Sequence, residues 1–105
     1  MFGFAKPAAG IYANDLDSLI GQANIVDIRE PYECARGMLQ GAKNIPMNLL
    51  MMDPDNYLKK DESYYIICLS GGRSGRVTQL LKQRGFNVVN VIGGMMGYSG
   101  SKLKR

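Results

Sequence analysis

Three stretches of the chain carry the residue types that pack on a pleated sheet. Asn24-Ile25-Val26-Asp27-Ile28, Tyr64-Tyr65-Ile66-Ile67-Cys68 and Phe86 to Ile92 are short and rich in β-branched or aromatic residues, so each predicts a strand. The third is Val-rich and uncharged, as a strand covered on both faces should be. Between them the spacing turns helical. Val77, Leu80 and Leu81 form the apolar stripe of a helix that Ser74 can cap and Gly85 ends. Earlier, Asn14 can cap a short helix over 15–20, with Leu16, Leu19 and Ile20 as its buried side. Glu30-Pro31 opens a helical turn, with Pro31 at a favoured first position and Glu30 and Glu33 suiting the dipole. Gly37 and Gly41 punctuate a loop, and 42–46 reads as a short extended piece. Met47 to Lys60 gives one or two short helices broken near Asp53-Pro54. Gly93-Gly94 turns the chain, and Met95 to Ser99 starts a last short helix. Strands alternating with helices predict an α/β domain: a mainly parallel central sheet flanked by helices on both faces. In such sheets ligands sit beyond the carboxyl ends of the strands.

At 105 residues the chain has the length of one domain, spanning 1–105. Such a chain buries roughly two-thirds of its unfolded surface, enough for a self-supporting core. It shows no internal repeat, linker or low-complexity tract. The start, Met1 to Pro7, lacks a basic stretch followed by a long apolar one, so no targeting signal is expected there. The longest uncharged run, Phe86 to Ser101, is shorter than the ~20 apolar residues a membrane span needs. Two cysteines are few for a secreted scaffold and read as thiols in a reducing compartment, so a cytoplasmic location without membrane association is expected.

The absence of histidine changes the picture more than any percentage. It excludes a Ser-His-Asp triad, a Cys-His dyad and any His-based zinc or haem site. Cys34 and Cys68 cannot make a four-thiolate site either, so no metal or cofactor is expected. Charge is lopsided. All nine Asp and Glu lie at or before Glu62, and the rest of the chain holds only basic charges. That asymmetry suggests an anionic partner. Nucleic acid is not expected, because no recognised motif is present and the basic residues are not interleaved with stacking aromatics.

Cys68 ends a predicted strand, and Arg73 and Ser74 follow just before a predicted helix. Cys68-Leu69-Ser70-Gly71-Gly72-Arg73-Ser74 is mostly small residues, so its backbone can curl with N–H groups pointing inward. Those donors and the helix N-terminus would stabilise an anion, and a thiolate is one. Arg73 and Arg76 flank the first helical turn, where exposed cations oppose the dipole at about 0.3–1 kcal/mol each. The placement fits if a thiolate or anionic substrate sits between them. A lone Cys in a strand is more often a packing residue. The attached glycines, Arg73 and helix tip favour a nucleophile.

These residues resemble a family. Cys68-Leu69-Ser70-Gly71-Gly72-Arg73-Ser74 is similar to the active-site loop of single-domain rhodanese-type sulfurtransferases. The resemblance runs from about Ile11 to Tyr98. Val26-Asp27-Ile28-Arg29-Glu30, Glu33, Gly37, Gly41-Ala42, Ile45-Pro46, Gly85-Phe86 and Gly93-Gly94 follow in the family's order and spacing. It implies a rhodanese-like fold and a persulfide mechanism. The Cys68 thiolate would take the outer sulfur of thiosulfate or a low-molecular-weight persulfide, cradled by Leu69 to Ser74. A thiol, a protein acceptor, or cyanide in an assay would then receive it. Phosphatase relatives use a loop one residue longer, which argues against that chemistry. A non-enzymatic sulfane-sulfur carrier, sensor or docking module is the alternative reading.

Departures fall outside the loop. Met38-Leu39 stand where the family has His-Ile, Gln40 replaces its proline, and Tyr98 stands for its Trp. Cys34 occupies a packing position of the family, and a resolving thiol is the competing reading. Asp27, Arg29 and Glu33 are expected to form a structural ion-pair network beneath the loop, with Arg73 a candidate partner. Met95-Met96 could give a thiol substrate an apolar rim, and 101–105 reads as a solvated basic tail.

Overall fold

The computed structural model describes residues 10–104, so Met1 to Pro7 and Arg105 lie outside the described residues. Strands β1 (Gly10–Tyr12), β2 (Asn24–Asp27), β4 (Lys43–Asn44), β5 (Ser63–Ile67) and β6 (Asn87–Ile92) form the central sheet. All five run parallel, in the order β1-β6-β5-β2-β4. Val26 stands beside Ile66, and Ile66 beside Asn90, so one row crosses the sheet centre.

Alternation along these strands feeds two cores. Val26, Ile66 and Val88 face one side, where they meet Leu50 of α2 (Met47–Met52) and Val77 and Leu81 of α3 (Gly72–Gln83). Ile25, Ile67 and Val91 face the other, against Ala13 and Leu16. Burying side chains such as Leu81 and Ile66 contributes roughly 1.5–3 kcal/mol each. A small antiparallel pair, β3 (Met38–Leu39) with β7 (Leu103–Lys104), completes the described strands. The turn of helix α1 (Pro31–Cys34) begins at Pro31, and the side chains of Glu30 and Glu33 cap it reciprocally. No helix among the described residues is long and apolar enough to cross a membrane.

Local predictions need four corrections. Residues Ala13–Leu19 form a 3-10 helix, and Asn14 does not cap it. Its amide instead pairs with Ser99, accepting from the backbone N–H and donating to the hydroxyl. Ser74 is not the cap of α3; Gly71 precedes the helix, and Ser74 lies inside its first turn. Leu80 is exposed, because the buried face of α3 consists of Ser74, Val77, Thr78 and Leu81. Residues 101–104 are exposed, as a solvated tail should be, but they are not a free end: they contain β7, whose Leu103 lies opposite Leu39.

Candidate active site

The carboxyl ends of β2, β5 and β6 converge on one point. Cys68 follows β5, Ile28-Arg29 follows β2, and Gly93-Gly94 follows β6. Cys68 is fully buried. The N–H of Gly71 donates to its Sγ at 3.1 Å, the N–H of Ser74 lies at 3.3 Å, and the Ser74 hydroxyl is also 3.3 Å away. Gly71 has φ 99, a left-handed conformation that lets the loop turn its amides inward and enter the helix at once. A Cβ there would lie 2.9 Å from the Gly93 nitrogen.

The Gly93-Gly94 turn closes the loop from below. Met95 N–H donates to the Cys68 carbonyl at 2.9 Å, and Met96 N–H to the Leu69 carbonyl at 2.8 Å. Gly94 has φ 57, and a Cβ on it would fall 2.5 Å from the Cys68 oxygen. Only glycine permits this approach.

The electrostatic result favours a thiolate. Burial of Cys68 opposes ionisation, yet the Ser74 hydroxyl and amide and the Gly71 and Ser70 amides outweigh it. The thiol is held below its ordinary value. Ser74 is itself anchored, since its hydroxyl also reaches the Gly71 carbonyl and Asn90 Oδ1. Asn90 escaped the sequence reading. Its signal was an amide side chain in an otherwise Val-rich strand, which needs a polar partner once buried.

Two ion pairs brace the loop. Glu33 of α1 accepts two bonds from the Arg73 guanidinium, both at 3.0 Å. That pairing holds the Glu33 carboxyl down at about 2. Asp27 and Arg29, 0% and 4% exposed, pair at 2.8 Å, and Arg29 also donates to the Gly37 carbonyl. Asn44, unremarked in the sequence, donates to the Asp27 and Arg29 carbonyls and fixes the turn after β2. Arg73 therefore does not share an anion with Arg76. Its charge is taken by Glu33 in a bidentate pair, the strongest partner geometry available. Arg76 is exposed and makes no ion pair among the described residues. The other thiol contrasts with Cys68: burial and the neighbouring Asp27 charge push Cys34 up to about 11. Leu69 and Ser70 form the exposed lip of the loop, and Gly72 opens α3.

A buried sulfur ringed by inward donors at the end of a parallel strand is built to carry negative charge on sulfur. The Rhodanese-like domain model matches residues 12–101. The chain belongs to the rhodanese-like family. It is 42% identical over 76 residues to YtwF of Bacillus subtilis, a candidate sulfurtransferase by name, covering 72% of this chain and 73% of YtwF. A sulfurtransferase of Allochromatium vinosum is 37% identical over 76 residues, covering 71% of this chain and 70% of the relative. The crystal structure of SSP1007 from Staphylococcus saprophyticus matches with a TM-score of 0.83 at 43% identity, over 92% of this chain and 99% of that one. The rhodanese-like fold, an α/β sheet with helices on both faces, is thus common to this chain and its relatives.

Proposed function

We propose that this rhodanese-like protein is a sulfurtransferase that carries sulfane sulfur on Cys68. The observation that supports it best is the convergence of the Gly71 and Ser74 N–H donors on the Cys68 sulfur. In a chain with no histidine, these donors take the place of a general base.

The Cys68 thiolate attacks the outer sulfur of thiosulfate. The S–S bond of thiosulfate breaks, sulfite leaves with its electron pair, and Cys68 holds a persulfide. An acceptor thiolate, or cyanide in an assay, attacks the outer sulfur and releases the Cys68 thiolate. A low-molecular-weight persulfide serves as donor in the same way, with its thiolate leaving. Leu69 to Ser74 cradle the persulfide. Asp27 with Arg29, and Glu33 with Arg73, fix the loop, while Arg76 contributes only its charge at a distance. A reducing cytoplasm suits this thiol chemistry, with a small sulfur donor and a thiol or protein acceptor as partners.

Intact-mass measurement after thiosulfate treatment tests the reading. The wild-type protein should gain one sulfur atom and lose it to added cyanide. Cys68→Ser should gain none. Equal uptake by Cys68→Ser would refute the assignment. Uptake without turnover would make the protein a sulfur carrier instead.

A further inference from the structure

A cavity of about 320 Å3 opens beside the Cys68 loop. Leu69, next to Cys68, forms one wall, and Tyr32, Met95 and Leu103 form the rest of its apolar surface. Tyr32 is 71% exposed, Leu69 40% and Leu103 38%, so this surface meets water and not a packing partner. The charged groups in the wall are unequal. Glu33 is spent on Arg73, and Arg29 on Asp27. Arg36 is exposed and makes no ion pair among the described residues.

Thiosulfate, a compact oxyanion, has no use for apolar walls. The cavity stands at the small end of the roughly 300–1,000 Å3 range of small-molecule seats. We propose that it seats an organic thiol, or the corresponding persulfide, that bears a carboxylate. The apolar part lies against Tyr32, Met95 and Leu103, the carboxylate meets Arg36, and the sulfur points past Leu69 to the Cys68 loop. Arg36 is then a specificity-determining residue, and strand β7 is part of the site because it supplies Leu103.

The sulfur step rests on the sulfurtransferase reading; the binding does not. In that step the bound thiolate attacks the outer sulfur of the Cys68 persulfide. The persulfide S–S bond breaks, Cys68 leaves as thiolate, and the acceptor becomes the persulfide. No oxidant or reductant is consumed.

Binding and transfer are measured separately. N-acetyl-S-methylcysteine is a thioether that cannot exchange sulfur, so its binding reads the seat without turnover. Amide NMR shifts at Leu69 and Leu103 should saturate, and the acid should bind about fivefold more tightly than its carboxamide. Arg36→Gln should abolish that preference and Arg36→Lys restore most of it. In parallel, persulfidated protein is discharged with N-acetylcysteine or its amide, and the rate ratio is compared between wild type and Arg36→Gln. The ratio should fall about fivefold in the variant. If acid and amide bind alike, or the preference survives in Arg36→Gln, the proposal is overturned. If Cys68 takes no sulfur but the binding preference holds, the transfer reading fails and the seat stands.

Discussion

Replacing Ser74 by Ala removes the hydroxyl to which the Cys68 thiol donates, and which favours the thiolate once that proton is gone, and leaves the backbone donors in place. Gly71 and Ser74 still present their N–H groups at 3.1 and 3.3 Å. The lost hydroxyl sits 3.3 Å from sulfur and is the largest favourable contribution to the thiolate. A hydrogen bond to a charged group is worth about 1.5–3 kcal/mol. The lower end applies, because the Gly71 carbonyl and Asn90 compete for the same hydroxyl proton. The Cys68 pKa should therefore rise, and its alkylation at neutral pH should slow. The rate of iodoacetamide alkylation against pH reports it directly. Cys34 does not interfere, since its thiol is pushed up to about 11. A midpoint that stays in place or falls would show that the backbone amides alone set the thiolate, and the argument from Ser74 would be wrong.

Three further outcomes follow from the ion pairs and the glycine turn. Glu33 has its pKa lowered to about 2 by Arg73, so its contribution to stability is present above the unfolded value of 4.5 and is lost as pH falls through 2. Glu33→Gln should lower stability by about 1 kcal/mol at neutral pH after solvent screening and flatten urea midpoints between those two pH values. Asp27→Asn leaves the buried Arg29 charge without its carboxylate and should cost roughly 3–5 kcal/mol by chemical denaturation; a loss under 1 kcal/mol would mean that Arg29 finds water. Gly94→Ala puts a Cβ 2.5 Å from the Cys68 oxygen at φ 57, so thiosulfate-dependent sulfur uptake should fall at least tenfold, and unchanged uptake would mean that the loop tolerates displacement.

The Cys68 loop was readable because its parts are consecutive. A strand end, small residues and a helix start within seven positions leave the backbone few options, and family spacing supplied the rest. What stayed hidden depends on partners far along the chain. β1 is three residues long and exists because β6 offers it an edge. β3 and β7 have two residues each, and neither carries a pattern that announces a strand. Ser74 has the right side chain for a cap. Aiming its amide at sulfur puts it inside the first turn, and Gly71 takes the position before the helix. Asn44 and Asn90 act through carbonyls and hydroxyls that only the folded sheet brings near.

On the proposed chemistry, the neutralised Arg73 serves the Cys68 loop through geometry and not through its charge. A free guanidinium beside Cys68 would attract anions but would leave the loop to find its own shape. Tied to Glu33 at both nitrogens, Arg73 instead joins the first turn of α3 to α1, forty positions away in sequence. Asp27 and Arg29 fix the end of β2 in the same manner, and Asn44 closes its turn. With three strand ends held in register, the amides of Gly71 and Ser74 need no reorganisation when sulfur becomes charged. The basic second half then has a division of labour. Arg73 is spent on geometry, while Arg76 stays exposed and unpaired among the described residues; the cation at the rim of the apolar cavity, Arg36, comes from the first half of the chain.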